Sequence, residues 1–76
     1  MKLTAAEREE LSALMETNDI IGPSPLMRHH WHESGYSSFS RRGLVSWGST
    51  PKGFDNRLFA GATITPAGRQ ALKGGE

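Results

Sequence analysis

The sequence predicts an α+β domain, and three observations carry that reading. A capping signature at Thr4 opens an amphipathic, acidic segment. Two short runs of strand-forming residues, Leu44–Trp47 and Ala62–Ile64, flank a turn-rich stretch. Thr65-Pro66 then reads as the start of a closing helix. The predicted order is helix, short helix, short helix, strand, loop, strand, helix. Two strands alone cannot bury both faces, so the helices must pack on the hairpin.

The first helix is expected over residues 4–17. The Thr4 hydroxyl can accept an orphan backbone N–H, and Glu7, three residues on, completes a capping box, with Leu3 at the staple position. Leu11, Leu14 and Met15 share one face. Glu7, Glu9, Glu10 and Glu16 then face water, the first three near the positive helix end. Asn18 and Asp19 are read as its end, and Ile20 and Ile21 as buried.

Gly22-Pro23-Ser24-Pro25 is a break. Ser24 reads as a second cap with Pro25 at the first helical position, which predicts a short helix from Leu26 to Glu33 stopped by Gly35. A third short helix is predicted over 37–42, capped by Ser37 and ended by Gly43. Residues 48–57 hold Gly48, Pro51, Gly53, Asp55 and Asn56 and read as a long hairpin connection, with Leu58 and Phe59 packing back on the core. The last helix runs from Pro66 to about Lys73, with Ala67, Ala71 and Leu72 towards the core and residues 74–76 as a frayed tail.

A chain of 76 residues is expected to form one domain, 1–76, with a thin core. It has no cysteine, so disulfides and thiolate-held metals are excluded. No apolar run approaches the roughly 20 residues that span a bilayer. Glu7, Arg8, Glu9 and Glu10 interrupt any leader-like stretch, so a cytoplasmic protein without a membrane partner is expected. The net charge of +1 is unevenly placed. Residues 1–19 carry two basic and five acidic side chains, whereas residues 20–76 carry seven basic and three acidic. Such asymmetry can orient a protein near a polyanion.

The run Arg41-Arg42-Gly43-Leu44-Val45 resembles the end of the recognition helix and the first wing strand of MarR-like and PadR-like winged-helix proteins. The run from Ala62 to Leu72, ATITPAGRQAL, is similar to their second wing strand and the helix after it. Together the resemblance covers roughly residues 37–73. It implies a small winged-helix-like domain with a two-stranded wing hairpin and, as function, a DNA-binding module of the transcription-regulator kind. On that reading the 37–42 helix and the 48–57 wing contact duplex DNA. Arg41 and Arg42 would end the recognition helix, Ser37, Ser38 and Ser40 would lie at its exposed part, and Lys52 and Arg57 would sit on the wing. Arg28 is a further candidate polyanion contact. Hydroxyls and backbone N–H groups touch phosphates or base edges, while wing cations add phosphate contacts that position without specifying. The bland alternative is that these are ordinary solvated charges.

A second functional class stays open on the same scaffold. A protein-binding module or inhibitor of phage or mobile-element type would meet a host or cognate protein through exposed aromatics, with Trp31, Tyr36 and Phe54 as candidates. Phe54, in a loop bounded by glycine and proline, is the hardest of these to bury.

His29, His30, Trp31, His32 and Glu33 form an unusual cluster. On a helix, His29, His32 and Glu33 would share a face, but a tetrahedral metal site needs a complete ligand set and no second group of ligands follows. No metal or cofactor is expected; a histidine patch that contacts a partner or makes local charge depend on pH is the simpler reading. No phosphate-cradling glycine loop is present, nothing arranges Ser, His and Asp as a triad, and a short chain leaves little room for a deep pocket of about 300 Å³ or more. An enzyme is not expected.

Overall fold

The computed structural model describes residues 3–48 and 50–74. The first helix, α1, spans Ala5–Ile21. Its capping box forms as the sequence predicts: the Glu7 N–H donates to Thr4 Oγ1 at 3.1 Å, and the Thr4 N–H donates to Glu7 Oε1 at 3.0 Å. Leu11 and Leu14 face inward and are fully buried, each contributing about 1.5–3 kcal/mol of transfer free energy. The helix does not end at Asn18 and Asp19. It continues to Ile21, and Gly22 ends it at φ +89°, donating its N–H to the Asn18 carbonyl at 3.0 Å. Ile20 and Ile21, expected inside, are 73% and 65% exposed. They lie in the turn beyond Asn18, outside the core cluster.

The short helix expected over 26–33 is not formed. Ser24–Met27 is instead a strand, β1, followed by a single 3-10 turn at Arg28–His30. β1 is an edge strand antiparallel to β3 (Phe59–Ile64), with Pro25 opposite Gly61. An edge strand tolerates proline because an N–H on its open side has no ladder partner to lose. The Ser-Pro pair that reads locally as a helix start therefore also suits a strand, and pairing with β3 decides between them.

The second helix, α2, spans Tyr36–Arg41, one residue out of register with the expected 37–42. Its cap differs from the expectation. Ser37 lies inside the helix, Gly35 holds the cap position without a side-chain bond, and Ser34 Oγ accepts the Tyr36 N–H at 3.2 Å. Gly43, at φ +79°, ends the segment as predicted. β2 (Val45–Gly48) pairs antiparallel with β3 to make the wing hairpin. β3 starts at Phe59, three residues before the strand read from the sequence. The third helix, α3, spans Pro66–Gly74, and Thr65 Oγ1 accepts the Gly68 N–H at 3.1 Å. Ala67 is exposed and Gly68 takes the buried position, while Ala71 and Leu72 pack partly against the core. Of the expected frayed tail, Gly74 closes α3, and residues 75 and 76 lie outside the described residues.

The sheet order is β1-β3-β2, a third strand more than the hairpin alone. α1 crosses β1 and β3, α2 packs on β2, and α3 packs on α1 and β3. Leu3, Leu11, Leu14, Trp31, Phe39, Leu44, Val45, Ala62 and Ile64 make one contiguous core. This is an α+β, winged-helix-like arrangement in which a 3-10 turn and a six-residue helix stand where two helices were expected between β1 and β2.

Candidate nucleic-acid interface

The register of the β2–β3 hairpin separates the candidate cations into two groups. Val45 pairs with Ile64 at one end, and Gly48 with Gly61 at the other. Arg41 and Arg42, at the end of α2, precede β2 by four and three residues and stand towards the first end. Lys52 and Arg57 lie in the connection after Gly48, at the second. Met27 pairs with Phe59, so Arg28 also reaches the wing end. There the Arg28 N–H donates to the Leu58 carbonyl at 2.9 Å, and its Nε donates to the Asn56 carbonyl at 3.0 Å. The 3-10 turn after β1 thus pins the returning limb of the wing.

The wing has its own internal scaffold. The Phe54 N–H donates to the Pro51 carbonyl at 3.2 Å across a turn in which Gly53 adopts φ +92°. Asp55 then organises the descent: its Oδ1 accepts the Arg57 N–H at 2.9 Å, and its carbonyl accepts the N–H groups of Leu58 and Phe59. Arg57 closes a two-point ion pair onto the same carboxylate, Nε to Oδ1 at 3.3 Å and Nη2 to Oδ2 at 3.1 Å. Those bonds, first from the Arg57 side chain and then from its backbone, hold the Asp55 carboxyl below the ordinary range. Lys52 is exposed and has no ion pair among the described residues. Ser49, within the expected wing, lies outside the described residues.

At the other end Arg41 is exposed and free of an ion pair among the described residues, but Arg42 is not available in the same way. Its Nη2 donates to Glu7 Oε2 at 2.8 Å and to Ser38 Oγ at 3.3 Å, and its guanidinium lies 5.3 Å from the Phe39 ring centre. With its side chain 24% exposed, Arg42 ties α2 to the first turn of α1. Ser37, Ser38 and Ser40 are all partly buried on α2, which six residues make about 9 Å long.

The three aromatics considered for protein contact divide sharply. Trp31, expected to be exposed on that reading, is 6% exposed and belongs to the core. Its ring stacks on Trp47 at 3.5 Å between centres, and Tyr36 meets it edge-on at 6.0 Å. Tyr36 is half-buried, and that desolvation, with the charge of Glu10 behind it, pushes its hydroxyl pKa up. Phe54 alone projects, 43% exposed, with its ring edge-on to Phe59 at 5.0 Å. It borders an open groove of about 430 Å³ lined by Ile21, Pro23, Pro25, Pro51 and Lys52. The sequence had no signal for the Ile21 side of this groove, because an isoleucine pair after a helix reads as core.

The helix that would have aligned His29, His32 and Glu33 is absent. His29 and His30 instead meet ring edge to ring face at 4.0 Å within the 3-10 turn. Among the described residues no three His, Cys, Asp or Glu side chains come together as a metal-ligand group, and no helix is long and apolar enough to cross a membrane. No protein-family model, curated protein or solved structure matches the chain.

Proposed function

We propose that this chain is a non-enzymatic module that binds duplex DNA, with the end of α2 and the wing bracketing a groove. The observation that carries the reading is the separation of the cations around the hairpin that have no ion pair among the described residues. Arg41 stands at one end of β2 and Lys52 and Arg28 at the other. β2, which separates the two groups, spans roughly 13 Å over its four residues, and the major groove is about 12 Å wide. Cations so spaced can hold phosphates on both sides of one groove, and such contacts set position rather than sequence. Arg57 enters this arrangement already neutralised by Asp55, so it shapes the wing more than it adds charge.

The test compares variants on a labelled duplex. Arg41→Ala and Lys52→Ala should each weaken binding and lower the salt slope by about one unit. Lys73→Ala removes the same charge from α3, outside the interface, and should leave both unchanged. Equal effects from all three would reduce the interaction to net charge and refute the bracketed groove.

A second reading, contact with a protein, is favoured by one observation: Phe54 and Ile21 expose apolar surface across one groove. Exposed aromatic anchors of this kind dominate many interfaces. Its test is capture of a partner by the wild-type chain that Phe54→Ser and Ile21→Ser abolish.

A further inference from the structure

A second groove lies between α1 and α3, and its chemistry differs from that of the wing. It encloses about 450 Å³ and is lined by Arg8, Ser12, Met15, Arg69, Leu72 and Lys73. Met15 and Leu72 form an apolar floor that rests on the core. The rim is cationic. Arg69 is paired with Asp19 at 2.7 Å, but Arg8 and Lys73 have no ion pair among the described residues. Arg8 is nevertheless fixed: its Nη1 donates to the Leu72 carbonyl at 2.9 Å, which satisfies one of the last carbonyls of α3 and leaves the positive charge uncompensated. A positioned cation beside an apolar floor loses less side-chain entropy on binding than a freely moving one.

We propose that this groove docks an acidic, amphipathic segment of a partner protein. A large apolar side chain of the segment sits on Met15 and Leu72, and flanking carboxylates face Arg8 and Lys73. Charge complementarity selects this occupant: with Arg69 paired to Asp19, Arg8 and Lys73 leave the groove positive, and no anion lines it among the described residues. A helix laid in a groove between two helices is a recurrent mode of recognition, and methionine adapts its shape to such guests. The groove beside Phe54 lacks this signature, since Lys52 is its only charged lining residue. The proposal is independent of the DNA reading, because it uses neither Arg41 nor the wing.

The probe is a fluorescein-labelled synthetic peptide in which Leu recurs at i, i+3, i+4 and i+7 among Glu and Asp. A peptide of the same composition in scrambled order and one with Lys in place of the acids serve as controls. Anisotropy gives affinity, and amide resonances of the isotope-labelled chain give location. The amphipathic acidic peptide should bind saturably, shift the resonances of Ser12, Met15, Leu72 and Lys73, and leave those of Lys52 and Phe54 in place. Lys73→Glu should weaken it about tenfold or more, because it opposes like charges across the contact. Ser12→Glu, a change at an exposed and helix-compatible position, should do the same without disturbing the fold. The proposal is overturned if the scrambled peptide binds equally, if both variants bind as wild type, or if the shifts fall around Ile21 and Phe54. It is also overturned if the same resonances move with protein concentration alone, which would assign the groove to a second copy of this chain.

Discussion

Asn18 completes the sheet from a helix. Its Oδ1 accepts the Ile64 N–H at 2.7 Å, and its Nδ2 donates to the Ala62 carbonyl at 3.1 Å and to the Gly22 carbonyl at 2.8 Å. β1 pairs with β3 only as far as Ser24 opposite Ala62. Beyond that point the carboxamide stands in for the missing strand, so one side chain closes α1, satisfies β3 and fixes the angle between them.

Asn18→Ala leaves the Ile64 N–H and Ala62 carbonyl without their partner and should cost about 2 kcal/mol. Asn18→Asp keeps the acceptor but sets a carboxylate oxygen against the Gly22 and Ala62 carbonyl oxygens, so it should cost at least as much as the alanine. Denaturant unfolding followed by tryptophan fluorescence checks both. Equal stability of Asn18→Ala and wild type would show that water replaces the carboxamide without penalty.

Trp31, between β1 and α2, stacks on Trp47 of β2, and Trp31 is the more buried of the two. Trp31→Ala should cost about 3–5 kcal/mol, comparable to the whole stability of a small domain. That variant should be largely unfolded at room temperature, whereas Trp31→Phe should remain folded with a lowered midpoint. Phe54→Ala, at the exposed wing, should cost about 1 kcal/mol or less. Circular dichroism of the three variants tests the division between core and surface aromatics.

Gly68 lies inside α3, where alanine ordinarily gains about 1 kcal/mol. Here a Cβ would run into the Leu44 carbonyl oxygen and Ile64 Cγ1. The Leu44 carbonyl is held in place by the Thr65 N–H at 3.0 Å and cannot move aside freely. Gly68→Ala should therefore destabilise, by about 1–3 kcal/mol as overpacking does. Gly74→Ala, with nothing within 4 Å of the added carbon, should be neutral. Thermal melts of the pair separate close packing from helix propensity.

Glu7 bonds to the Thr4 backbone and to Arg42, and these hold its carboxyl below the ordinary glutamate value. A lowered folded value means the contribution is present above the ordinary value of about 4.3 and is lost as pH falls through the folded value. Wild type should lose stability as pH falls through that window more steeply than Glu7→Gln does. Parallel urea titrations at several pH values measure the difference, and identical slopes would contradict the linkage.

The elements with strong local chemistry were legible in the sequence: the capping box at Thr4, the Gly43 terminator, the Thr65-Pro66 helix start and the wing hairpin. The elements set by distant partners were not. Ser24–Met27 is a strand because β3 lies beside it, and Ser24-Pro25 also satisfies the local pattern of a helix start. α1 overran Asn18 because that side chain finds its partners 44 and 46 residues away. Of the five basic residues read from the sequence as DNA contacts, Arg41, Lys52 and Arg28 remain free of ion pairs among the described residues, while Arg42 is drawn to Glu7 and Arg57 to Asp55. Spacing along a chain shows where cations lie, but only packing shows which of them are already occupied.

The most direct measurement is the salt dependence of binding to a labelled duplex. Arg28, Arg41 and Lys52 supply about three phosphate contacts, for a slope of log affinity against log salt near −2.7. Between about 50 and 200 mM salt the affinity should therefore fall about 40-fold. A measurable affinity with that slope is the expected result. An absence of binding at the lower salt, or binding that salt does not weaken, would contradict the DNA reading and leave the Phe54–Ile21 surface as the site of contact.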